Sequence, residues 1–262
     1  MPRVLVTGGT GVLGRELVKR LAPAAETTVR ISSRRPRRDS DPDVEWTQVN
    51  LETGEGLAEA VSGVDSVLHC ASSPFRRTKT VDVEGTDKLL AAAKTAGVSH
   101  FLYISIVGID RIPLPYYKNK LATESAVAAG GVPWSIFRAT QFHTLIDMFL
   151  HGLARFPLAL LPTGFRFQPI DPGEVADRML EHLGNGPAGR VTDLGGPQTR
   201  TLADLGRAWA KARAVRRLYI PMPLFGKVAS GFRKAYNCTE DGERGRITWE
   251  EWLATRYRKE TP

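Results

Sequence analysis

The stretch of sequence that decides the fold lies near the N-terminus and reads Thr7-Gly8-Gly9-Thr10-Gly11-Val12-Leu13-Gly14. An apolar run precedes it and residues with helical spacing follow it, so we predict a strand, a turn and a helix. Gly8 allows a tight turn, Gly11 lets the backbone approach a pyrophosphate, and Gly14 lets the helix pack closely against the strand. Free N–H groups at a helix N-terminus favour bound phosphate. The stretch therefore predicts a nucleotide-binding turn.

Downstream of this turn, strand-like and helical segments alternate as far as Arg138. Parallel neighbouring strands require long, right-handed crossover connections, and the alternation supplies helices of that kind. We therefore predict an α/β fold of the Rossmann type, with a doubly wound parallel sheet. We assign residues 1–145 to a dinucleotide-binding core, and residues 146–262 to a C-terminal part that completes the sheet and forms a small substrate-side subdomain. In that part we predict a loop at 157–169 and a strand at 190–194.

The composition is that of an ordinary globular protein, with 42% hydrophobic and 24% charged residues among 262. No apolar run approaches the ~20 residues that a membrane-spanning helix needs. The strand-like residues begin directly after the N-terminal methionine, which leaves no room for a signal peptide. We expect a cytoplasmic protein with no membrane partner.

The chain is basic, with a net charge of +8 and a pI of about 9.7. Such a charge fits either nucleic acid or a ligand that carries phosphate. The basic clusters Arg34–Arg38 and Lys211–Arg217 lie in no recognisable nucleic-acid motif, so we expect a small-molecule ligand and no nucleic acid. The two cysteines, Cys70 and Cys238, lie far apart without metal-ligand spacing, and we expect no metal.

The glycine spacing G-x-x-G-x-x-G resembles that of the short-chain dehydrogenase/reductase superfamily, in its extended and atypical branches. The sequence is most similar to the NmrA-like, NAD(P)H-binding subgroup. The resemblance implies a nicotinamide dinucleotide cofactor and oxidoreductase activity. The further segments that carry it are Val83–Ala93, Tyr103–Ser105, Tyr116–Lys120 with Glu124, Trp134–Arg138, Phe167–Asp171 and Asp193–Gly196.

The end of the second predicted strand distinguishes between the two nicotinamide cofactors. NAD-selective sites carry an acidic residue there, which accepts hydrogen bonds from the ribose 2′-hydroxyl. This chain has Ser33, Arg34 and Arg35 instead. Guanidinium groups pair with phosphate oxygens and serine can donate a further hydrogen bond, so these residues favour a 2′-phosphate. We therefore expect NADP(H) rather than NAD(H).

The resemblance implies roles for further cofactor-binding residues. In the family an acidic residue followed by an apolar one flanks the adenine, and here Asn50 and Leu51 take that place, with an amide instead of the acid. The small residues Cys70–Ser73 would let the backbone line the ribose. Gln141 follows the sixth predicted strand, near the expected nicotinamide, and we expect it to contact the carboxamide. Lys120 would hold the nicotinamide ribose. The complete predicted set is Gly8, Thr10, Gly11, Val12, Leu13, Gly14, Ser33, Arg34, Arg35, Asn50, Leu51, Cys70, Ala71, Ser72, Lys120 and Gln141.

Tyr116 and Lys120 are the predicted catalytic pair. They lie four residues apart on a predicted helix and therefore share a face. A tyrosine hydroxyl can protonate the alkoxide that forms when hydride is transferred to a carbonyl. A nearby ammonium group would lower the pKa of that tyrosine by favouring the phenolate.

The third catalytic residue is less clearly defined by the sequence. Ser105 ends the fifth predicted strand and is our first choice for polarising the carbonyl. Relatives commonly carry a second hydroxyl just after it, where this chain has Ile106. Ser72 or Ser73 could serve instead, or no residue does. Asp82 stands where many relatives carry asparagine, and stabilisation of a helix N-terminus explains an acid there.

Two functions follow from these residues. The first is an NADP(H)-dependent oxidoreductase that acts on a carbonyl or related group of a small apolar molecule, whose binding wall the C-terminal part would supply. The alternative is a non-catalytic, NmrA-like redox sensor that binds NADP(H) and a protein partner. This alternative is motivated by Ile106, which stands where relatives commonly carry a second hydroxyl and has no group that could polarise a carbonyl.

Overall fold

The computed structural model describes residues 1–24, 26–36, 44–73, 78–155 and 158–258. The chain forms two compact units, each built from separate stretches of sequence. The first contains Met1–Ser105, Pro115–Phe137 and Val175–Val191. The second contains Ile106–Leu114, Arg138–Glu174 and Thr192–Pro262. Among the described residues, no helix is both long enough and apolar enough to cross a membrane.

The strands in chain order are β1 (Arg3–Thr7), β2 (Thr28–Ser33), β3 (Val44–Gln48), β4 (Ser66–His69), β5 (His100–Ile106), β6 (Trp134–Ala139), β7 (Leu158–Pro162), β8 (Arg166–Phe167), β9 (Gly189–Arg190), β10 (Leu194–Gly195), β11 (Arg200–Thr201), β12 (Leu218–Met222) and β13 (Glu243–Arg244). The helices are α1 (Val12–Leu21), α2 (Leu57–Val61), α3 (Gly85–Thr95), α4 (Pro115–Ala129), α5 (His143–Leu153), α6 (Pro172–Asn185), α7 (Leu202–Ala212), α8 (Lys227–Arg233) and α9 (Trp249–Arg256). A π-helical segment, Lys79–Glu84, leads directly into α3.

The first unit contains a parallel sheet in the order β3-β2-β1-β4-β5-β6, with β9 paired to β6. The chain runs outward from β1 to β3 and then returns to β4 on the other side of β1. This reversal creates a crevice at the carboxyl ends of β1 and β4, where ligands of such sheets bind. The prediction of a doubly wound α/β fold is confirmed.

The core of the first unit lies between this sheet and the helices α2 and α3. Leu5, Val67 and Phe101 of the sheet are fully buried, as is Leu89 of α3. The amphipathic spacing of α1 likewise buries Leu17. Burial of these apolar side chains holds the crevice end of the sheet in place.

The second unit contains the end of β6, to which β10 and then β13 are added in parallel. Its interior includes the buried carboxylate of Asp147, which accepts hydrogen bonds from Trp209 Nε1 at 2.7 Å and from the Tyr257 hydroxyl. The Trp249 side chain of α9 packs in the same apolar cluster and donates to the carbonyl oxygen of Leu205 at 3.0 Å. These contacts attach the C-terminal helix to the unit.

Two sequence predictions for the second half of the chain were wrong in detail. The predicted loop at 157–169 contains β7 and β8, since β7 pairs in parallel with β12 and β8 pairs with β11. The partner strands lie far along the chain, so no local sequence pattern predicts β7 and β8. The strand predicted at 190–194 is divided into β9 and β10, two short strands on either side of residues 191–193. The helix α8 was not predicted.

Candidate active site

The glycine-rich turn lies at the carboxyl end of β1, and its glycines are required by geometry. Gly8 has φ +67°, and a Cβ on it would lie 2.8 Å from Cα of Ala71. A Cβ on Gly14 would lie 2.2 Å from the carbonyl oxygen of Gly8. Helix α1 begins with Gly11 at its N-cap, and no side chain caps it. The N–H groups of its first turn are therefore available to an anion.

A buried histidine joins this turn to the neighbouring strand end. His69 Nδ1 lies 2.7 Å from Thr7 Oγ1, and its Nε2 lies 2.9 Å from Thr86 Oγ1. Thr7 Oγ1 also accepts from the N–H groups of Cys70 and Ala71, at 3.2 and 3.3 Å. Burial lowers the pKa of His69 to about 3, so the ring is neutral at physiological pH. No sequence pattern marks this histidine, because Thr7 and Thr86 lie far from it along the chain.

A cavity of about 370 Å³ lies at the crevice of the first unit. The predicted cofactor residues that line it are Gly8, Thr10, Gly11, Ser33, Arg34, Arg35, Asn50, Leu51, Cys70, Ala71 and Ser72. Lining residues that were not predicted to bind the cofactor are Ser32, Val49, Glu52, Ser73 and Val81. Val12, Leu13 and Gly14 form the first turn of α1 and are not among the lining residues.

One end of the cavity is basic. Arg34 and Arg35 are exposed, and neither guanidinium group bonds to another described residue. Their backbone is held in place, because Gln48 Nε2 donates to the carbonyl oxygen of Arg34 and Trp46 Nε1 donates to that of Arg35, both at 3.2 Å. The N–H group of Arg35 donates to Ser33 Oγ at 3.1 Å. This backbone presents two guanidinium groups at one end of the cavity, where an anionic group could bind.

The surroundings of this basic end are mixed in charge. No acidic residue follows β2 as far as residue 36, but Glu52 lines the cavity from the loop after β3. Arg37 and Arg38, which complete the basic cluster of the sequence, lie outside the described residues. Asn50 Oδ1 accepts from the N–H group of Glu52 at 3.0 Å, so its oxygen stabilises that loop.

Tyr116, at the start of α4, is connected to the wall of the cavity. Its hydroxyl lies 3.0 Å from Ser72 Oγ, and Ser72 Oγ lies 2.6 Å from Asp82 Oδ2. Burial raises the pKa of Tyr116 to about 12, and the charge of Asp82 adds to this effect while the bond to Ser72 opposes it. This direction is opposite to the lowered pKa expected from the neighbouring Lys120.

Lys120 does not lower the pKa of the tyrosine because its ammonium group is directed elsewhere. It is buried one turn further along α4, and Nζ donates to the carbonyl oxygen of Ile104 at 3.0 Å. Nζ also lies 4.2 Å from the centre of the Tyr103 ring, a cation–π contact. Burial lowers the pKa of Lys120 to about 8, and Asp82 opposes this effect.

The two remaining predicted residues are both buried. Ser105 is 2% exposed, and its Oγ has no hydrogen-bond partner among the described residues. Gln141, in the second unit, bonds at both ends of its amide to Asn237, with distances of 3.1 and 3.2 Å. The role of Ser105 in catalysis and that of Gln141 in binding the carboxamide stay predictions. Within the described parts of the chain, no group of three or more His, Cys, Asp or Glu residues could hold a metal ion.

Comparison with known proteins identifies the family. A family model described as NAD(P)H-binding matches residues 8–144, which is more than half of the chain. The chain belongs to this NAD(P)H-binding family. It is 31% identical over 204 residues to a (4-alkanoyl-5-oxo-2,5-dihydrofuran-3-yl)methyl phosphate reductase of Streptomyces griseus, covering 76% of this chain and 69% of the reductase.

Solved structures share the fold of this NAD(P)H-binding protein across nearly its whole length. A short-chain dehydrogenase/reductase superfamily protein from Agrobacterium tumefaciens, with bound NAD, has a TM-score of 0.74 and 22% identity, covering 98% of this chain and 96% of that one. An NADPH-dependent quinone oxidoreductase from Escherichia coli has a TM-score of 0.75 and 17% identity, covering 97% and 99%. The chain therefore shares the fold of these structures, and its family match indicates a nicotinamide nucleotide as the cofactor.

Proposed function

We propose that this chain is an NADP(H)-dependent oxidoreductase that reduces a carbonyl or related group of a small apolar molecule. The observation that carries the proposal is the position of Ser72. It lines the cavity that joins the glycine-rich turn to Arg34, and it bonds to the hydroxyl of Tyr116. The crevice and a proton donor are thus connected within one unit.

The residues of the cavity fit NADP(H). The uncapped N-terminus of α1 and the close approach allowed by Gly11 suit the pyrophosphate. The exposed guanidinium groups of Arg34 and Arg35, with the hydroxyl of Ser33, suit a 2′-phosphate. The named activity of the Escherichia coli structure supports NADPH, whereas the Agrobacterium structure binds NAD.

The chemistry requires a hydride and a proton. When bound, the cofactor would supply the hydride for the carbonyl carbon, and Tyr116 would give its hydroxyl proton to the substrate oxygen. A tyrosine with a pKa of about 12 is neutral at physiological pH, so it is in the form that can donate. It remains a much stronger acid than the alcohol it helps to form.

Replacing Tyr116 with phenylalanine tests this role. Turnover of a panel of apolar carbonyls and quinones, followed by loss of NADPH absorbance, should fall about 100-fold or more, because general acid catalysis contributes that much. The affinity for NADPH, measured by nucleotide fluorescence, should stay unchanged. Tyr236→Phe is the matched control, since its ring carries the contact with Arg111 and phenylalanine keeps that ring. Equal turnover in wild type and Tyr116→Phe would remove the tyrosine from the mechanism.

One observation favours the second function, a redox sensor. The predicted carbonyl-polarising residue, Ser105, is buried, and its hydroxyl has no hydrogen-bond partner in the part of the chain that the structure describes. A sensor would bind NADPH without turning over any compound of the panel, and a protein partner would bind the NADPH and NADP⁺ forms with different affinities. Equal partner affinity for both forms would reject the sensor, because a switch requires differential binding.

A further inference from the structure

A hydrogen-bonded chain of three side chains leads from Tyr116 into the interior of the first unit. Ser72 Oγ donates to Asp82 Oδ2 at 2.6 Å and lies 3.0 Å from the Tyr116 hydroxyl. Because Ser72 has a single hydrogen and gives it to the carboxylate, the hydrogen between the two hydroxyl groups comes from Tyr116. The chain therefore has a direction, from the tyrosine through the serine to the carboxylate.

Asp82 is buried, and both of its carboxylate oxygens accept hydrogen bonds from residues next to the cavity. The residue is 2% exposed, and its second oxygen, Oδ1, accepts from the N–H group of Ser73 at 2.8 Å. Its backbone carbonyl accepts from the hydroxyls of Thr86 and Thr123, at 2.5 and 2.9 Å. A place near the start of a helix explains an acid at this position, but it does not explain why the carboxylate is buried against Ser72.

Ser72 and Ser105 differ in their hydrogen bonds and in their access to the cavity. Ser72 touches the reacting hydroxyl and lines the cavity, whereas the Ser105 hydroxyl is buried without a hydrogen-bond partner among the described residues. A residue that helps Tyr116 lose its proton must be at hydrogen-bond distance from its oxygen. Of these two serines, Ser72 meets this condition.

We propose that Ser72, rather than Ser105, is the serine that stabilises the phenolate of Tyr116 during reduction, and that Asp82 is a positioning residue acting through Ser72. The inference rests on the proposed function. In the step itself, bound cofactor would supply the hydride to the carbonyl carbon while Tyr116 gives its proton to the substrate oxygen. The Ser72 hydroxyl then rotates, so that its single hydrogen leaves Asp82 Oδ2 and forms a hydrogen bond to the phenolate oxygen. A proton from solvent restores the Tyr116 hydroxyl, and the Ser72 hydrogen bond returns to Asp82.

Ser72 and Asp82 shift the pKa of Tyr116 in opposite directions. A hydrogen bond from Ser72 favours the phenolate, whereas the negative charge of Asp82 disfavours it. Asp82→Asn should therefore make Tyr116 ionise at lower pH. Adding Ser72→Ala to that variant should move the ionisation back to higher pH. A purely structural role of either residue would not produce opposite shifts.

The first experiment measures these shifts without turnover. Tyrosinate absorbance is followed in a pH titration, and the difference from the corresponding Tyr116→Phe protein isolates the signal of Tyr116. Asp87→Asn, on the exposed face of α3, is the matched control for the loss of a carboxylate. No shift in Asp82→Asn, or a shift in the same direction when Ser72→Ala is added, would overturn the proposal.

The second experiment measures turnover. Ser72→Ala should lower kcat about 100-fold, the usual cost of removing one donor to a developing negative charge, and should change KM for NADPH much less than kcat. Ser125→Ala, on the exposed part of α4, is the matched control. Full activity in Ser72→Ala together with lost activity in Ser105→Ala would overturn the proposal. If Asp82→Asn does not fold, the Ser72→Ala result decides.

The two experiments also separate this proposal from the one on which it rests. If wild-type protein reduces no compound of the panel, the proposed function fails. The absorbance titration still decides whether Ser72 and Asp82 control the proton of Tyr116.

Discussion

At the scale of single residues, the site contains a basic end formed by Arg34 and Arg35, and a tyrosine, Tyr116, that is neutral at physiological pH. The basic end was predictable, because Arg34 and the absence of an acid from residue 34 to residue 36 are properties of the sequence itself. The pKa of Tyr116 depends on which charges lie around its oxygen. Lys120 was expected to be the nearest charge, but its ammonium group bonds to Ile104, and Asp82 acts on the tyrosine instead.

The residue-scale prediction concerns Arg34. Arg34→Ala should weaken NADPH binding by about 10- to 100-fold, the equivalent of one charge-assisted hydrogen bond, and should leave NADH binding unchanged. Calorimetric titration with both nucleotides measures this. Arg256→Ala, an exposed arginine of α9, is the control. Equal weakening of both nucleotides would mean that Arg34 does not contact the 2′-phosphate.

At the scale of secondary structure, the start of α1 is the most constrained element of the site. Its glycines allow the helix to begin against the backbone of the turn, as the spacing predicted. The strands β7 and β8 were missed because an isolated strand of a two-stranded sheet has little local signature. Their hydrogen-bond partners are supplied by segments far along the chain.

Gly14→Ala tests how closely α1 approaches the turn. The new Cβ would lie 2.2 Å from the carbonyl oxygen of Gly8, so the helix must shift and the phosphate site must deform. We expect lost nucleotide binding and a lower Tm. The matched control is Gly184→Ala in α6, where a Cβ has no neighbour within 4 Å. In that control the free energy of unfolding should stay unchanged or increase by up to ~1 kcal/mol, because alanine favours a helix more than glycine does. Normal NADPH affinity in Gly14→Ala would contradict this account of the turn.

The attachment of α9 gives a second element-scale prediction. Asp147→Ala leaves the buried Trp209 indole and the Tyr257 hydroxyl without their acceptor. Each unsatisfied group costs about 1–3 kcal/mol, so we expect a clearly lower Tm and faster proteolysis near the C-terminus. Asp87→Ala serves as the exposed control. Unchanged proteolysis would show that the apolar contacts of Trp249 hold the helix without Asp147.

At the scale of the whole molecule, each unit contains a buried neutral histidine. Burial lowers the pKa of His69 to about 3 and that of His143 to about 4, from an ordinary value of 6.5. Below pH 6.5 the unfolded chain binds protons that the folded chain does not. The stability that these histidines contribute is therefore complete above pH 6.5 and is lost as the pH falls.

The free energy of unfolding should accordingly decrease by about 1.4 kcal/mol per pH unit for each such histidine as the pH falls below 6.5. Urea unfolding at several pH values measures this slope. His69→Gln should be less stable at neutral pH, because its bonds to Thr7 and Thr86 change, but its stability should depend less on pH. An equal slope in the variant would show that His69 is not buried in its neutral form.

The sequence by itself determined the nucleotide-binding turn, the parallel sheet and the basic end of the cavity. These features depend on the order of neighbouring residues, since a glycine spacing or an alternation of strands and helices is local. Only the tertiary structure decided that Ser72 meets Tyr116 and Asp82, that His69 joins Thr7 to Thr86, and that β7 pairs with β12. Such contacts form between residues distant in the chain, because burial and strand order bring them together.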